Sequence, residues 1–305
     1  QSARGVGTVL TQSPHLCARE VFELIERHRV TNMFTVPSIL HALASDPACD
    51  AHDHSSLRHV IYAGAPMLRA HQKLALEKFG NCLVQYFGLG EVTGNITMLP
   101  PRWHNAQDGA GLRVGTCGVA RTGMEIEIQD HEGRSVSEGQ SGEICVIGPA
   151  VFNGYYDNAE ANANAFRNGW FRTGDIGHLD ENGFLFITGR ASDMFISGGS
   201  NIHPLEIEEK LVAYPDIAEA CVVGLPDDKW GEIGVAALVL ASDHAFDEAR
   251  FRQWLTGQLA GYKIPKQFVV VDELPKSNYG KVTKAAVRAV LLERLTLSAI
   301  SEAAQ

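Results

Sequence analysis

Gly169-Trp170-Phe171-Arg172-Thr173-Gly174-Asp175, followed by Gly189-Arg190-Ala191-Ser192-Asp193-Met194-Phe195-Ile196-Ser197-Gly198-Gly199-Ser200-Asn201-Ile202-His203-Pro204, sets an acid and a cation near a two-glycine loop. A carboxylate such as Asp175 can accept two hydrogen bonds from a vicinal diol, and Arg190 presents a fixed fork of donors to the same sugar. Taken singly, each fragment is ordinary strand and turn, and an arginine in this place reads equally as half of a surface ion pair. Taken together, they suit a chain that holds a ribose and then turns its backbone sharply.

Upstream of this stretch, strand and helix signals alternate. Val21, Leu24, Ile25 and His28 share one helical face, and Met33-Phe34-Thr35-Val36 reads as a buried strand ended by Pro37. A short helix through Ile39, Leu40 and Leu43 follows, then a strand at 59–63 closed by Gly64-Ala65-Pro66, a helix over 68–79 and a strand at 83–87. Such alternation implies a parallel sheet with ligands at the strand ends. After about Gly109 the period changes. Met124, Ile126 and Ile128 alternate with Glu125, Glu127 and Gln129, a turn falls at 130–133, and Glu143-Ile144-Cys145-Val146-Ile147 continues the pattern. That middle section predicts a small, mostly antiparallel sheet or barrel. Beyond Arg190, Pro204 opens a helix bearing Ile207, Leu211 and Tyr214, followed by strands at 220–223 and 235–240 and a helix through Phe251, Trp254 and Leu255. The predicted class is therefore mixed α/β. A partial parallel α/β part spans 1–108, a β-rich part 109–191 and a separate α+β C-terminal domain 192–305, with a boundary near Ala191-Ser192.

Composition narrows the partners. The 305 residues, 45% of them hydrophobic, suffice for more than one core. A formal net charge of −10 without a basic run argues against nucleic acid. No apolar stretch nears the roughly 20 residues that span a bilayer. Six cysteines lack any Cys-x-x-Cys pair, so neither a zinc site nor a disulfide framework is indicated, and reduced thiols in a cytoplasmic setting are the expectation.

Several short motifs carry chemistry. In Phe87-Gly88-Leu89-Gly90-Glu91 the glycines would let the backbone approach a ligand, and Glu91 can offer oxygen to a phosphate-bound Mg²⁺; a βα turn with an exposed acid is the plainer alternative. Tyr62-Ala63-Gly64-Ala65-Pro66-Met67 is, as bare sequence, a strand-to-helix turn. Lys281 closes Pro275-Lys276-Ser277-Asn278-Tyr279-Gly280-Lys281. An ammonium there could hold two anions together during attack on a phosphate, whereas Lys276 and Lys284 read as ordinary surface charges.

From about Val21 to the last helix, these motifs resemble the adenylate-forming superfamily of acyl- and aryl-CoA synthetases, adenylation domains and luciferases. The resemblance implies a ligase that uses ATP, Mg²⁺ and CoA to activate a carboxylic acid as its adenylate, with fatty-acid metabolism a natural setting. It implies catalytic roles for Lys281 and for Glu91, the latter as the carboxylate for the metal. Gly64, Ala65, Pro66, Tyr86, Phe87, Gly88 and Gly90 would line the nucleotide and acyl pocket, with Val36 and Ser38 among its walls. Asp175 and Arg190 would hold the ribose, Ser192 would be the hinge, Gly198 and Gly199 would edge the thiol tunnel, and Trp230 would stack on the CoA nucleotide. The sequence departs from the family at Gly90, where a threonine hydroxyl usually meets the α-phosphate, and at Ser192, where Asp or Lys is commoner. It also lacks the upstream Ser/Thr/Gly-rich phosphate loop. The resemblance therefore implies a C-terminal portion whose partner is the N-terminal region of the same enzyme, and weak ATP affinity without it. Acyl transfer to a carrier-protein thiol and a non-catalytic nucleotide-binding or interaction fragment stay as alternatives. The identity of the acid and any homo-oligomer are not legible.

Overall fold

A computed structural model describes residue 5 and residues 7–109, 111–241, 246–277 and 281–303, the last eight by backbone alone. The first section runs α1 (Ala18–His28), β1 (Asn32–Thr35), α2 (Pro37–Ser45), α3 (Ala48–Ala51), β2 (His59–Tyr62), α4 (Arg69–Phe79), β3 (Leu83–Leu89), β4 (Gly94–Leu99) and β5 (Val119–Ala120). Its sheet has the order β1-β2-β3-β4-β5. The first three strands are parallel, as the alternation predicts, and β4 and β5 add antiparallel pairs that the sequence reading did not single out. Helices cover one face only: Phe22, Ile25, Leu40, Leu43, Tyr62 and Leu83 pack there with little or no exposure.

On the other face, the strand read as buried is not. Phe34 is 67% exposed, and its register partner Ile61 and the pair Tyr86–Met98 share that side of the pleat. Parallel strands are ordinarily covered on both faces. Phe34 is apolar because of a face that these residues leave open, which a pattern of four hydrophobic-leaning residues cannot distinguish from burial.

The second section runs β6 (Glu125–Gln129), β7 (Gly142–Ile147), α5 (Ala159–Ala165), β8 (Phe166–Arg167), β9 (Trp170–Leu179) and β10 (Leu185–Arg190). Its antiparallel sheet is open, in the order β10-β9-β7-β6 with β8 beside β9, and no barrel closes. Ile128, Ile144, Val146, Phe171 and Leu185 form its core. The third runs β11 (Phe195–Ser197), β12 (Ser200–Ile202), α6 (Pro204–Val212), β13 (Ile217–Asp227), β14 (Gly231–Leu240), α7 (Glu248–Thr256), β15 (Gln267–Val270) and α8 (Lys284–Ala303). The long β13–β14 hairpin is its spine, and Ile207, Leu211, Phe251 and Leu255 pack against one side of it. Among the described residues, no helix is long and apolar enough to cross a membrane.

Candidate functional site

Asp175 and Arg190 are cross-strand partners of β9 and β10, brought opposite each other by a register shift between Ile187 and Gly189. Arg190 Nε donates to Asp175 Oδ1 at 2.9 Å. Asp175 is 5% exposed while the arginine reaches solvent. Burial pushes the Asp175 carboxyl above its ordinary value, against the downward pull of Arg190 and, from the third section, of the Lys281 ammonium; Asp193 pushes it up again. Arg190 thus touches Asp175, and the Lys281 ammonium lies near enough to act on the charge of that acid.

Lys281 is exposed, and its loop is drawn together by hydrogen bonds. Ser277 N–H donates to the Lys281 carbonyl at 2.8 Å, Thr283 N–H to that of Pro275 at 3.1 Å, and Lys276 bridges Val282. Asn278, Tyr279 and Gly280 of that motif lie outside the described residues. The two flanking lysines are not free surface charges. Lys276 pairs with Glu219 at 2.8 Å, and Lys284, with only 26% of its side chain exposed, reaches Glu208 at 2.5 Å and the Val222 carbonyl at 2.9 Å.

Glu91 sits in a single 3-10 turn over 90–92, between β3 and β4. The two glycines beside it differ in what they serve. A Cβ on Gly88 would stand 1.8 Å from the Gly94 carbonyl oxygen, so this glycine is demanded by the close approach of β3 and β4; at Gly90 a Cβ would meet open space. Gly88→Ala should therefore cost about 2 kcal/mol of stability, and Gly90→Ala less than about 0.5 kcal/mol. Urea unfolding of the two variants checks this, and equal midpoints would refute the distinction. Gly64, at the C-terminal end of β2, adopts φ +89° with Val36 Cγ1 3.8 Å from its Cβ position, and Ala65 and Pro66 continue the exposed turn. Tyr86 and Phe87 are half-buried on β3.

Gly198 and Gly199 form the two-residue turn between β11 and β12, with φ of +56° and +81°, both positive as a tight hairpin of this kind requires. The Trp230 ring fills the space beside Gly198 and its carbonyl accepts the Gly198 N–H at 2.9 Å. Trp230 is 42% exposed, with Lys229 and Lys266 ammonium groups 5.1 and 5.8 Å from the ring centre. Ser192 lies in the exposed 3-10 turn over 191–193, its hydroxyl on Asp193. A surface cleft of about 340 Å³ formed by Tyr214, Pro215, Asp216, Arg250 and Trp254 contains none of these residues.

The family model for AMP-binding enzymes matches residues 3–156, and that for the AMP-binding enzyme C-terminal domain matches residues 206–281. The chain belongs to the AMP-binding enzyme family. It is 37% identical over 268 residues to a feruloyl-CoA synthase from Amycolatopsis sp, covering 88% of this chain and 53% of that protein. Over 292 residues it is 37% identical to the indoleacetate–CoA ligase of Aromatoleum aromaticum, covering 96% and 56%. Among solved structures, the amide bond synthetase McbA from Marinactinospora thermotolerans superposes with a TM-score of 0.82 at 34% identity, covering 90% of this chain and 55% of that one. The chain spans about half the length of the relatives it matches.

Within this AMP-binding chain, contacts between the first and third sections escaped the sequence reading. Glu209 of α6 accepts the Arg69 N–H at 3.0 Å, so a carboxylate from the third section caps the start of α4. Beside it, His41 of α2 and His71 of α4 stack with ring centres 3.7 Å apart. Their neighbours on the other side are Ala218, through a backbone hydrogen bond to His71, and the Glu219–Lys276 pair, which acts on His41 in opposing directions. Burial, then the adjacent His41, pushes His71 down to about 4; burial also lowers His41.

Both imidazoles titrate below the ordinary value of about 6.5, so their contribution to this contact is present above that pH and is lost as pH falls from there toward 4. At pH 5.5 the contact should weaken roughly tenfold through His71 alone. Proteolysis near Ala191–Asp193 should then be faster at pH 5.5 than at 7.5, with a smaller acid step in His71→Phe. An acid step of undiminished size in that variant would refute the assignment to His71.

Proposed function

We propose that this polypeptide supplies the ribose, metal-carboxylate and lysine contacts of an acyl- or aryl-CoA synthetase. In the first half-reaction a carboxylate oxygen attacks the α-phosphorus of ATP and pyrophosphate leaves. In the second, the CoA thiolate attacks the acyl carbon and AMP leaves. The observation that carries this reading is the convergence of Asp175, Arg190 and Lys281: the pair leaves Asp175 Oδ2 and the terminal nitrogens of Arg190 without a protein partner among the described residues, suited to a ribose diol, with an ammonium nearby to offset the charge of two anions meeting.

Among the described residues no cluster of three metal-ligating side chains exists. A lone carboxylate such as Glu91 nevertheless fits Mg²⁺, which is often held by one or two carboxylates and the phosphates of its nucleotide. When bound, the ion would neutralise phosphate charge during attack. Gly64, Ala65, Pro66, Tyr86, Phe87, Gly88 and Gly90 would border nucleotide and acid, while Gly198, Gly199 and Trp230 would serve the thiol step after rotation about Ser192. Division of the chain at 1–108, 109–191 and 192–305 belongs to the same proposal, supported by the three sheets. The complementary N-terminal region of the same enzyme is the proposed partner, and the cytoplasm the proposed setting.

Relatives named for feruloyl and indoleacetate groups and relatives named for medium- and long-chain fatty acids match at similar identity, so the proposed acid is an aryl or a fatty acid. ATP–pyrophosphate exchange by the full-length enzyme with a panel of aromatic and fatty acids tests this, and thioester formation with CoA distinguishes it from transfer to a carrier-protein thiol. Exchange that no carboxylic acid stimulates would overturn it.

A further inference from the structure

The carboxylate of Glu91 has a built support. Tyr155 Oη donates to Glu91 Oε1 at 3.0 Å, and Phe152 N–H donates to the Glu91 carbonyl at 2.7 Å. Thr93, which follows the turn, donates its hydroxyl to the Ala150 carbonyl at 3.2 Å. Residues 150–155, between β7 and α5, therefore hold the 90–93 turn at three points. Tyr155 is itself pinned from behind by a single side chain. Asn162 Oδ1 accepts the Tyr155 N–H at 2.7 Å, and Asn162 Nδ2 donates to the Tyr155 carbonyl at 2.9 Å. The same amide fills the space beside Gly154, where a Cβ would lie 2.8 Å from Asn162 Oδ1 and φ is +132°. The Tyr155 ring rests edge-on against Phe152, 4.9 Å between centres, and Phe152 in turn packs on Phe166 and Phe171 of the second core.

Packing explains the ring and leaves the hydroxyl unexplained. Tyr155 is 37% exposed, and phenylalanine would fill its contacts with Phe152 equally well. The one protein partner of the hydroxyl among the described residues is Glu91, whose other oxygen, Oε2, has no protein partner there.

We propose that Tyr155, anchored by Asn162, is a positioning residue that fixes the Glu91 carboxylate by occupying Oε1 and leaves Oε2 for the metal–nucleotide complex. This rests on the reading of Glu91 as the carboxylate for Mg²⁺·ATP. Second-layer groups that orient a metal-binding side chain typically change metal affinity by about 10–100-fold when removed.

The test titrates Mn²⁺ onto the full-length enzyme, N-terminal region included, with ATP, read by electron paramagnetic resonance, beside metal-free ATP binding and thermal unfolding. Tyr155→Phe should weaken Mn²⁺ in the nucleotide complex about tenfold, with metal-free ATP binding and the unfolding midpoint unchanged. Asn162→Ala, which keeps the hydroxyl but frees its backbone, should move Mn²⁺ affinity in the same direction. Mn²⁺ affinity that falls in Glu91→Gln but stays within twofold in both other variants would overturn the positioning role and spare the reading of Glu91. Mn²⁺·ATP binding absent from the unsubstituted full-length enzyme, or unaffected by Glu91→Gln, would instead overturn that reading and this proposal with it.

Discussion

In the full-length enzyme, N-terminal region included, Lys281→Ala is expected to lower carboxylate-dependent ATP–pyrophosphate exchange by roughly 10²–10³-fold, the usual loss when one preorganised charge contact to a transition state is removed. The lysine is exposed and has no carboxylate partner within salt-bridge distance among the described residues, so its removal should leave folding stability within about 0.5 kcal/mol. The proposed role of Lys281 in offsetting the charge of carboxylate and α-phosphate puts the effect on the first half-reaction. Attack of CoA on supplied acyl-adenylate should be nearly unchanged. Equal losses in both half-reactions would refute the division of labour.

Lys284→Ala, three residues on, is expected to act on stability instead. Lys284 and Glu208 are 26% and 11% exposed at the side chain, and Glu208 Oε1 also accepts the Val222 N–H at 2.8 Å. Removing the cation strands a buried carboxylate between α6, β13 and α8, at a cost of about 3 kcal/mol. The double variant Lys284→Met, Glu208→Gln keeps an acceptor for Val222 and removes both charges, so it should recover more than half of that loss in urea unfolding. No recovery would show that the cost is packing rather than a stranded charge. Burial alone would lower the Lys284 pKa, yet Glu208, with Cys221 and Asp193, more than offsets it and the net shift is upward. This contribution is therefore present below the ordinary lysine range and lost only as pH rises through the higher folded value. Between pH 5 and 8 it is flat, in contrast to the His41–His71 contact.

The two lysines show where sequence reasoning stops. Both stand in a basic, turn-rich stretch, and local pattern distinguishes them only through the Gly280-Lys281 motif. What makes Lys284 structural is Glu208, 76 residues away in the chain. Gly88 and Gly90 pose the same problem at shorter range. Both read as glycines freeing a backbone for a ligand, yet Gly88 is held by the backbone of Gly94 across a strand pair while Gly90 faces open space.

Helices and strands at 18–28, 59–62, 69–79, 125–129, 142–147 and 204–212 were legible because side-chain periods of 3.6 and 2, with proline and glycine at the ends, are local properties of the chain. The Asp175–Arg190 pair was legible for a related reason: its two residues lie on successive strands of one hairpin, 15 residues apart. Tertiary structure alone decided the rest. It left the apolar Phe34 face open, set Tyr155 on Glu91 across 64 residues, and stacked His41 on His71 against Ala218 and Glu219. Burial, pKa and hydrogen-bond partner are properties of the space around a side chain, and that space is filled by residues whose distance along the chain carries no signal in the pattern of either partner.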